Sequence, residues 1–144
     1  MYKSQPRLLT TVEKVLFLKS IDLFSQIPGE DLAQIALISS EEDRDQGEEI
    51  FAEGESGDAL YMVIDGKVRV HKADRVIAEL GERECFGEMA ILDAGPRSAT
   101  VTSLSNSNLL KITRDDFQEI MAEKPEIAQG IIKVLLRRLR DAIR

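Results

Sequence analysis

Residues 49–80 read EIFAEGESGDALYMVIDGKVRVHKADRVIAEL, and their pattern sets the class of architecture. Short β-like runs at 49–52, 60–64, 68–71 and 76–80 are each closed by turn residues: Glu53-Gly54-Glu55-Ser56-Gly57-Asp58, Asp65-Gly66-Lys67 and Ala73-Asp74-Arg75. Runs of this length between glycine and aspartate clusters predict strands. Asp65-Gly66 predicts a hairpin between the runs at 60–64 and 68–71, because glycine accepts the positive φ that a tight turn requires. Two more runs follow at 99–102 and 109–112. No strand–helix alternation accompanies them, so a barrel, sandwich or jelly roll is expected and a parallel sheet is not.

Helical spacing flanks this region on both sides. Residues 10–25 place Val12, Val15, Leu16 and Leu23 at mostly helical intervals behind a threonine N-cap at Thr10 or Thr11, with a break expected before Leu23. Pro28-Gly29 interrupts the chain, and Glu30-Asp31 then head a second helix carrying Leu32, Ala33, Ile35, Ala36 and Ile38. Residues 39–49, SSEEDRDQGEE, have little to bury and read as a solvated connection. They lack the alternating ligands and closing glutamate of a calcium loop. After the strands, Thr113-Arg114-Asp115-Asp116 resembles a capping box ahead of Phe117, Ile120 and Met121. Pro125 opens a last helix with Glu126 in its first turn and Arg137, Arg138, Arg140 and Arg144 near its end, as the helix dipole favours. Its residues Ile127, Ile131, Ile132, Val134, Leu135, Leu136, Leu139 and Ile143 cover more than one narrow stripe. Such a helix is expected to pack on its own barrel and on a second partner.

Bulk properties bound the function. A chain of 144 residues, 43% hydrophobic and 31% charged, matches one globular domain that buries its own core. A net charge of −7 opposes nonspecific attraction to nucleic acid or anionic lipid, so any anion must be held by a local positive group. Cys85 is the only cysteine, which rules out an internal disulfide and reads as a buried thiol. His71 is the only histidine. A zinc site or a catalytic triad needs more such groups than the chain has, and His71 reads as a solvent-facing strand residue. The opening MYKSQPRL has no apolar core of signal-peptide length, and no apolar run approaches a membrane span. A cytosolic setting is expected, alone or as part of a larger or membrane-anchored protein.

Residues 86–101, FGEMAILDAGPRSATV, carry the chemistry. They combine a glycine that permits close backbone approach, a short helical stretch at 88–92 whose first amides can face an anion, a turn through Gly95-Pro96, and one arginine followed by small residues. That is how a phosphate cradle is built. It is neither GxxxxGK[ST] nor a GxGxxG opening a helix, so triphosphate and dinucleotide loops are excluded.

The same segment resembles the phosphate-binding cassette of the cyclic-nucleotide-binding domain family, found in the bacterial catabolite activator, kinase regulatory subunits and cyclic-nucleotide-gated channels. The likeness rests on FGE, a small apolar run, then PRSAT, and extends through FLKSIDLFSQIPGEDLAQIA, EGESGDALYMVIDGKVRV and the closing helices. It implies a mainly β fold with flanking helices (α+β): a double-stranded β-helix, or jelly-roll-like β-roll, over 49–112, with N-terminal helices at 10–38 and two C-terminal helices at 114–144, forming a single domain over 1–144. It implies a non-catalytic module whose ligand is cAMP or cGMP, with no cofactor. Arg97 would pair with the exocyclic phosphate and Glu88 would accept from the ribose 2′-hydroxyl. The amides of Gly87, Met89, Ala90 and Ala99 would add donors, and Ser98 would meet the phosphate or a guanine edge, leaving the base open. Leu136, Leu139, Arg140 and Ile143 are candidates for a cap over the base. Ile64, Val70 and Ile91 read as core, some of it within reach of the ribose or purine. Arg83 stands where the family commonly has a glycine before FGE.

The resemblance further implies a switch in which ligand repositions the last helix toward an effector domain or partner protein, with a homodimer through that helix as one form. Transcriptional relatives continue into a DNA-binding helix-turn-helix. The sequence ends after the last helix, so direct DNA binding is not expected. Two other readings stay open: a ligand-free interaction module of the same fold, and a cupin-type enzyme, which would need metal-ligating histidines on its strands.

Overall fold

The punctuated runs become strands of two antiparallel sheets. The computed structural model describes residues 9–143. Its strands are β1 (Ser40–Arg44), β2 (Glu49–Phe51), β3 (Ser56–Gly57), β4 (Ala59–Asp65), β5 (Val68–Lys72), β6 (Arg75–Leu80), β7 (Cys85–Phe86), β8 (Gly95–Pro96), β9 (Thr100–Ser103) and β10 (Ser107–Thr113). One four-stranded sheet runs β1-β10-β4-β7, the other runs β2-β9-β5-β6, and β3 pairs with β8. The helices are α1 (Thr11–Lys19), α2 (Gly29–Ile38), the single turn α3 (Met89–Leu92), α4 (Arg114–Glu123) and α5 (Pro125–Ile143), with a 3-10 turn at Asp22–Phe24. The fold is a jelly-roll-like β-roll with an N-terminal helix pair and two C-terminal helices. Its residues form two units, the roll of Ser39–Asp115 and a helical unit of Leu9–Ile38 with residues 116–143.

Three expectations change within the roll. The expected hairpin at Asp65-Gly66 does not form: β4 pairs with β10 and β7, whereas β5 pairs with β6 and β9. Gly66, at φ 107, instead carries the chain from one sheet to the other beside β10. A Cβ there would stand 2.8 Å from the Cα of Ser107. The true hairpin is β5–β6, closed at Ala73 with φ 50. The stretch at 39–49 is not simply a solvated connection either, because Ser40–Arg44 pairs along β10 from Ser40↔Lys111 to Arg44↔Ser107. Ladder bonds use the backbone of any residue, and the acids are matched by cations: Arg44 lies 2.7 Å from Glu42 and 2.8 Å from Glu48. The roll therefore begins at Ser40, ahead of residue 49.

The roll's core joins both sheets through Ile50, Tyr61, Val63, Val68, Phe86, Val101 and Leu109. The turn leading to β7 survives without the second glycine. Arg83 adopts φ 68, its amide donates to the Val63 carbonyl at 2.9 Å, and the Val63 amide returns a bond to Glu84 at 3.0 Å. A left-handed arginine costs about 1–2 kcal/mol, which these ladder bonds offset.

In the helical unit, Thr10 caps α1 through a reciprocal box with Glu13. The expected break before Leu23 is present, and the expected apolar face is buried only in part: Leu23 is buried and Val15 half-buried, but Val12 and Leu16 are not. Leu18 and Leu23 are buried while Val12 and Leu16 are exposed, because the chain breaks at Ser20 and turns through the 3-10 segment. Phe24 packs on Phe117 with ring centroids 6.1 Å apart. Gly130 lets α5 lie against the backbone at Gln26, whose carbonyl would be 2.8 Å from an added Cβ. The two apolar stripes of α5 separate cleanly: Ile127, Ile131 and Val134 are buried, while Ile132, Leu135, Leu136, Leu139 and Ile143 are exposed.

Asp22 ties this unit together, accepting from Arg137 and from Arg138, the latter at 3.2 Å through Nε and 3.0 Å through Nη2. Burial pushes the Asp22 carboxyl up, but the hydrogen bonds from Arg138 and Arg137 outweigh it and hold its pKa below the ordinary value. A depressed native pKa means that the tie stabilises above the unfolded-chain value of about 4 and is lost as pH falls through the native value. Asp22→Asn is expected to cost about 0.5–1 kcal/mol at pH 7, as partly exposed pairs do. In urea unfolding followed against pH, the gap between wild type and variant should close in acid. A gap that persists at low pH would rule out the charged tie as its source.

Candidate functional site

The FGE…PR segment folds around a single side chain. Phe86 ends β7 in register with Tyr61, and Gly87 then turns sharply at φ 73. Glu88 heads α3, and the chain returns through β8 to Arg97. The backbone of Arg97 is stitched to the EGESGD turn: its amide donates to Glu55 at 2.7 Å, and its carbonyl accepts from the Gly54 amide at 2.9 Å. A turn distant in sequence thus sets where the guanidinium stands.

Arg97 is only 8% exposed. Nη2 donates to the Ala59 carbonyl at 2.9 Å, and Nη1 to the Gly87 carbonyl at 3.5 Å. Nε is buried and has no hydrogen-bond partner among the described residues. Among the described residues no carboxylate forms an ion pair with Arg97. Cζ lies 3.9 Å from the ring centroid of Phe51. Two glycines make the room: a Cβ on Gly57 would stand 3.1 Å from Cδ and Nε, and one on Gly87 would stand 2.6 Å from Nη1. Burial lowers the pKa of Arg97, against the opposing pull of Tyr61, Asp58 and Glu55. A guanidinium does not lose its proton in a protein, so a buried positive charge with donors to spare stands in the roll.

Arg97 lines a cavity of about 300 Å³, walled by Phe51, Val70, Phe86 and Val101. The volume is at the lower end of the range of about 300–1,000 Å³ usual for small-molecule sites. Six of the seven cassette residues expected at the ligand, Gly87, Met89, Ala90, Arg97, Ser98 and Ala99, line it. Glu88 does not. It is half-buried, and its carboxylate accepts from the Cys85 thiol at 3.3 Å, so Cys85 is a partly buried hydrogen-bonding group. The Ala90 amide is engaged in the first turn of α3, donating to Gly87 at 3.1 Å. Met89 is 74% exposed at the rim, and Ser98 is exposed while Ala99 is buried. Of the residues read as core, Val70 lines the cavity and Ile91 is wholly buried, whereas Ile64 is half-buried and not part of the wall. Leu136, Leu139, Arg140 and Ile143 lie exposed on the last turns of α5. His71 is half-buried and structural. Its Nδ1–H donates to the Ala73 carbonyl at 2.9 Å, leaving Nε2 to accept from the Thr102 hydroxyl at 3.0 Å.

Residues 41–124 match the family model described as Cyclic nucleotide-binding domain. The chain belongs to the cyclic nucleotide-binding domain family. It is 40% identical over 102 residues to the Cyclic AMP receptor protein of Thermus thermophilus, covering 67% of this chain and 47% of that protein. Among solved structures it is similar to the N-terminal domain of a transcriptional regulator from Streptomyces coelicolor, with TM-score 0.80 and 34% identity over 88% of this chain and 92% of that one. It is also similar to the regulatory domain of Toxoplasma gondii PKA with cAMP, with TM-score 0.72 and 32% identity over 76% of this chain and 44% of that one. The chain spans less than half the length of the first curated relatives it matches. A cyclic nucleotide-binding domain is a regulatory binding module, and the chain corresponds to that module and not to an enzyme. Among the described residues, no helix is long and apolar enough to cross a membrane.

Sequence reasoning missed three parts of the site: Phe51, Gly57 and the carbonyl of Ala59. Gly57 carries a signal in hindsight, as one of two glycines within a short acidic turn. Nothing local marks Phe51 or a backbone carbonyl, which become part of the site only when β2 and β4 converge on Arg97.

Proposed function

We propose that this domain, residues 1–144 taken as one unit, binds cAMP or cGMP and uses the bound state to reposition α5. The observation that carries this reading is Arg97, a buried cation that forms no ion pair among the described residues and lines a cavity of nucleotide-compatible size. The phosphate would accept from its unused N–H groups and from the amides of Gly87, Met89 and Ala99; the Ala90 amide would join them only by giving up its bond to Gly87. Glu88 would leave the Cys85 thiol to accept from the ribose 2′-hydroxyl. Ser98 would meet the phosphate or the base, and the apolar wall would take the purine. Leu136, Leu139, Arg140 and Ile143 would close over the base. Ligand can move α5 only to the extent that it binds the two positions unequally. The setting proposed is cytoplasmic, alone or within a larger or membrane-anchored protein, and no direct DNA binding by this domain is expected.

Calorimetric titration of cAMP and cGMP into protein unfolded and refolded to strip carried-over ligand tests the site. One-to-one saturable binding of at least one nucleotide is expected. A folded protein that takes up neither overturns the sensor reading in favour of a ligand-free interaction module.

The exposed stripe of α5 favours a protein partner for the switch, and its spacing fits a second copy of the helix. Ile132, Leu136, Leu139 and Ile143 recur at alternating intervals of four and three, the seam of a two-stranded coil. Sedimentation velocity should find a dimer that Leu136→Glu converts to monomer. A wild-type monomer at high concentration would exclude the self-paired form.

A further inference from the structure

We propose that Phe51 is a positioning residue for the anion site: its ring is a platform that holds the Arg97 guanidinium in place before any ligand arrives. The inference rests on the nucleotide-binding reading for its consequence, but its geometry stands on the unliganded chain. Cζ of Arg97 lies 3.9 Å from the Phe51 centroid, within the range in which a cation is attracted to a ring face. The ring is itself held. Phe86 is 5.9 Å away at 45°, Tyr61 is 6.1 Å away at 39°, and these two stack on each other at 5.3 Å and 9°. The platform is therefore one member of a three-ring cluster whose other two rings, Tyr61 and Phe86, belong to the core of the roll.

The choice of an aromatic at this position has a chemical reason. A carboxylate would attract Arg97 more strongly, but it would take up the same N–H groups that an incoming phosphate needs. A ring face attracts the cation from above and leaves the in-plane donors available. Nε is buried and has no hydrogen-bond partner among the described residues, so the ring contact has not cost the group that donor. Among the described residues its other hydrogen bonds are those to Ala59 and Gly87. A long side chain ordered in advance loses less conformational freedom on binding, so the platform should appear as affinity.

The test compares Phe51→Leu and Phe51→Tyr with wild type. Heteronuclear NOE of the Arg97 Nε–H in ligand-free protein reads the order of the guanidinium, calorimetry with cAMP and cGMP reads affinity, and urea unfolding reports the loss of packing separately. Phe51→Leu should drop the Arg97 NOE to that of a mobile side chain and weaken the preferred nucleotide about tenfold, while Phe51→Tyr keeps both near wild type. An Arg97 equally ordered in the leucine variant overturns the proposal. So does an affinity that falls only as far as stability does, equally in both variants. If wild type binds neither nucleotide, the functional reading fails by itself, and the NOE comparison still decides whether Phe51 holds Arg97.

Discussion

Arg97→Ala should abolish cyclic-nucleotide binding and leave the roll folded. Charge-assisted hydrogen bonds contribute roughly 1.5–3 kcal/mol each, so losing two of them weakens binding by at least about a hundredfold. Stability should respond far less. The substitution removes two bonds to carbonyls and a ring contact, but it also removes a buried charge that forms no ion pair among the described residues. Relief of the burial cost of the charge offsets part of the lost contacts, so a destabilisation of about 1 kcal/mol is expected. Calorimetry beside urea unfolding separates the two effects. Retained affinity would remove Arg97 from the site, and a collapse of the fold would make it a structural residue.

Gly87→Ala is expected to damage both properties together. At φ 73 an L residue is strained by about 1–2 kcal/mol before any contact is considered. The new Cβ would also stand 2.6 Å from Nη1 of Arg97 and 3.0 Å from the Ala59 carbonyl, the groups that fix the guanidinium. A stability loss of about 2 kcal/mol and a tenfold or greater loss of affinity should follow, since displaced donors no longer converge on the phosphate. Gly95→Ala is the matched control. Gly95 lines the same cavity, yet an added Cβ would meet nothing within 4 Å. Its stability should stay within about 0.5 kcal/mol of wild type. Equal damage from both alanines would argue against crowding at Arg97 as the cause.

Both predictions meet at a side chain that could be singled out from its neighbours in the chain. FGE, the proline turn and the small residues after Arg97 lie within one stretch, where spacing alone brings glycine, amides and guanidinium together. The role of Glu88 was less legible. Its position at the head of α3 follows from the motif, but its bond to Cys85 depends on where β7 ends.

What the sequence determined by itself were the features that neighbouring residues encode: the strand runs at 49–112, the helix starts at Thr10 or Thr11 and at Pro125, and the cassette order around Arg97. Strand and helix periods, caps and turns are local, and they survive in any tertiary setting that does not oppose them. Tertiary structure decided how those pieces combine. Asp65-Gly66 carries the turn residues of a hairpin, but β4 finds its partners in β10 and β7 because burying both strands in one roll outweighs a local pairing. The polar run Ser40–Arg44 becomes a strand because β10 offers its backbone, which no side-chain pattern announces. Phe51 becomes the floor of the anion site only after β2 and β9 pair and bring residues 51 and 97 within 4 Å, a contact between sequence-distant groups that only the packed roll can create.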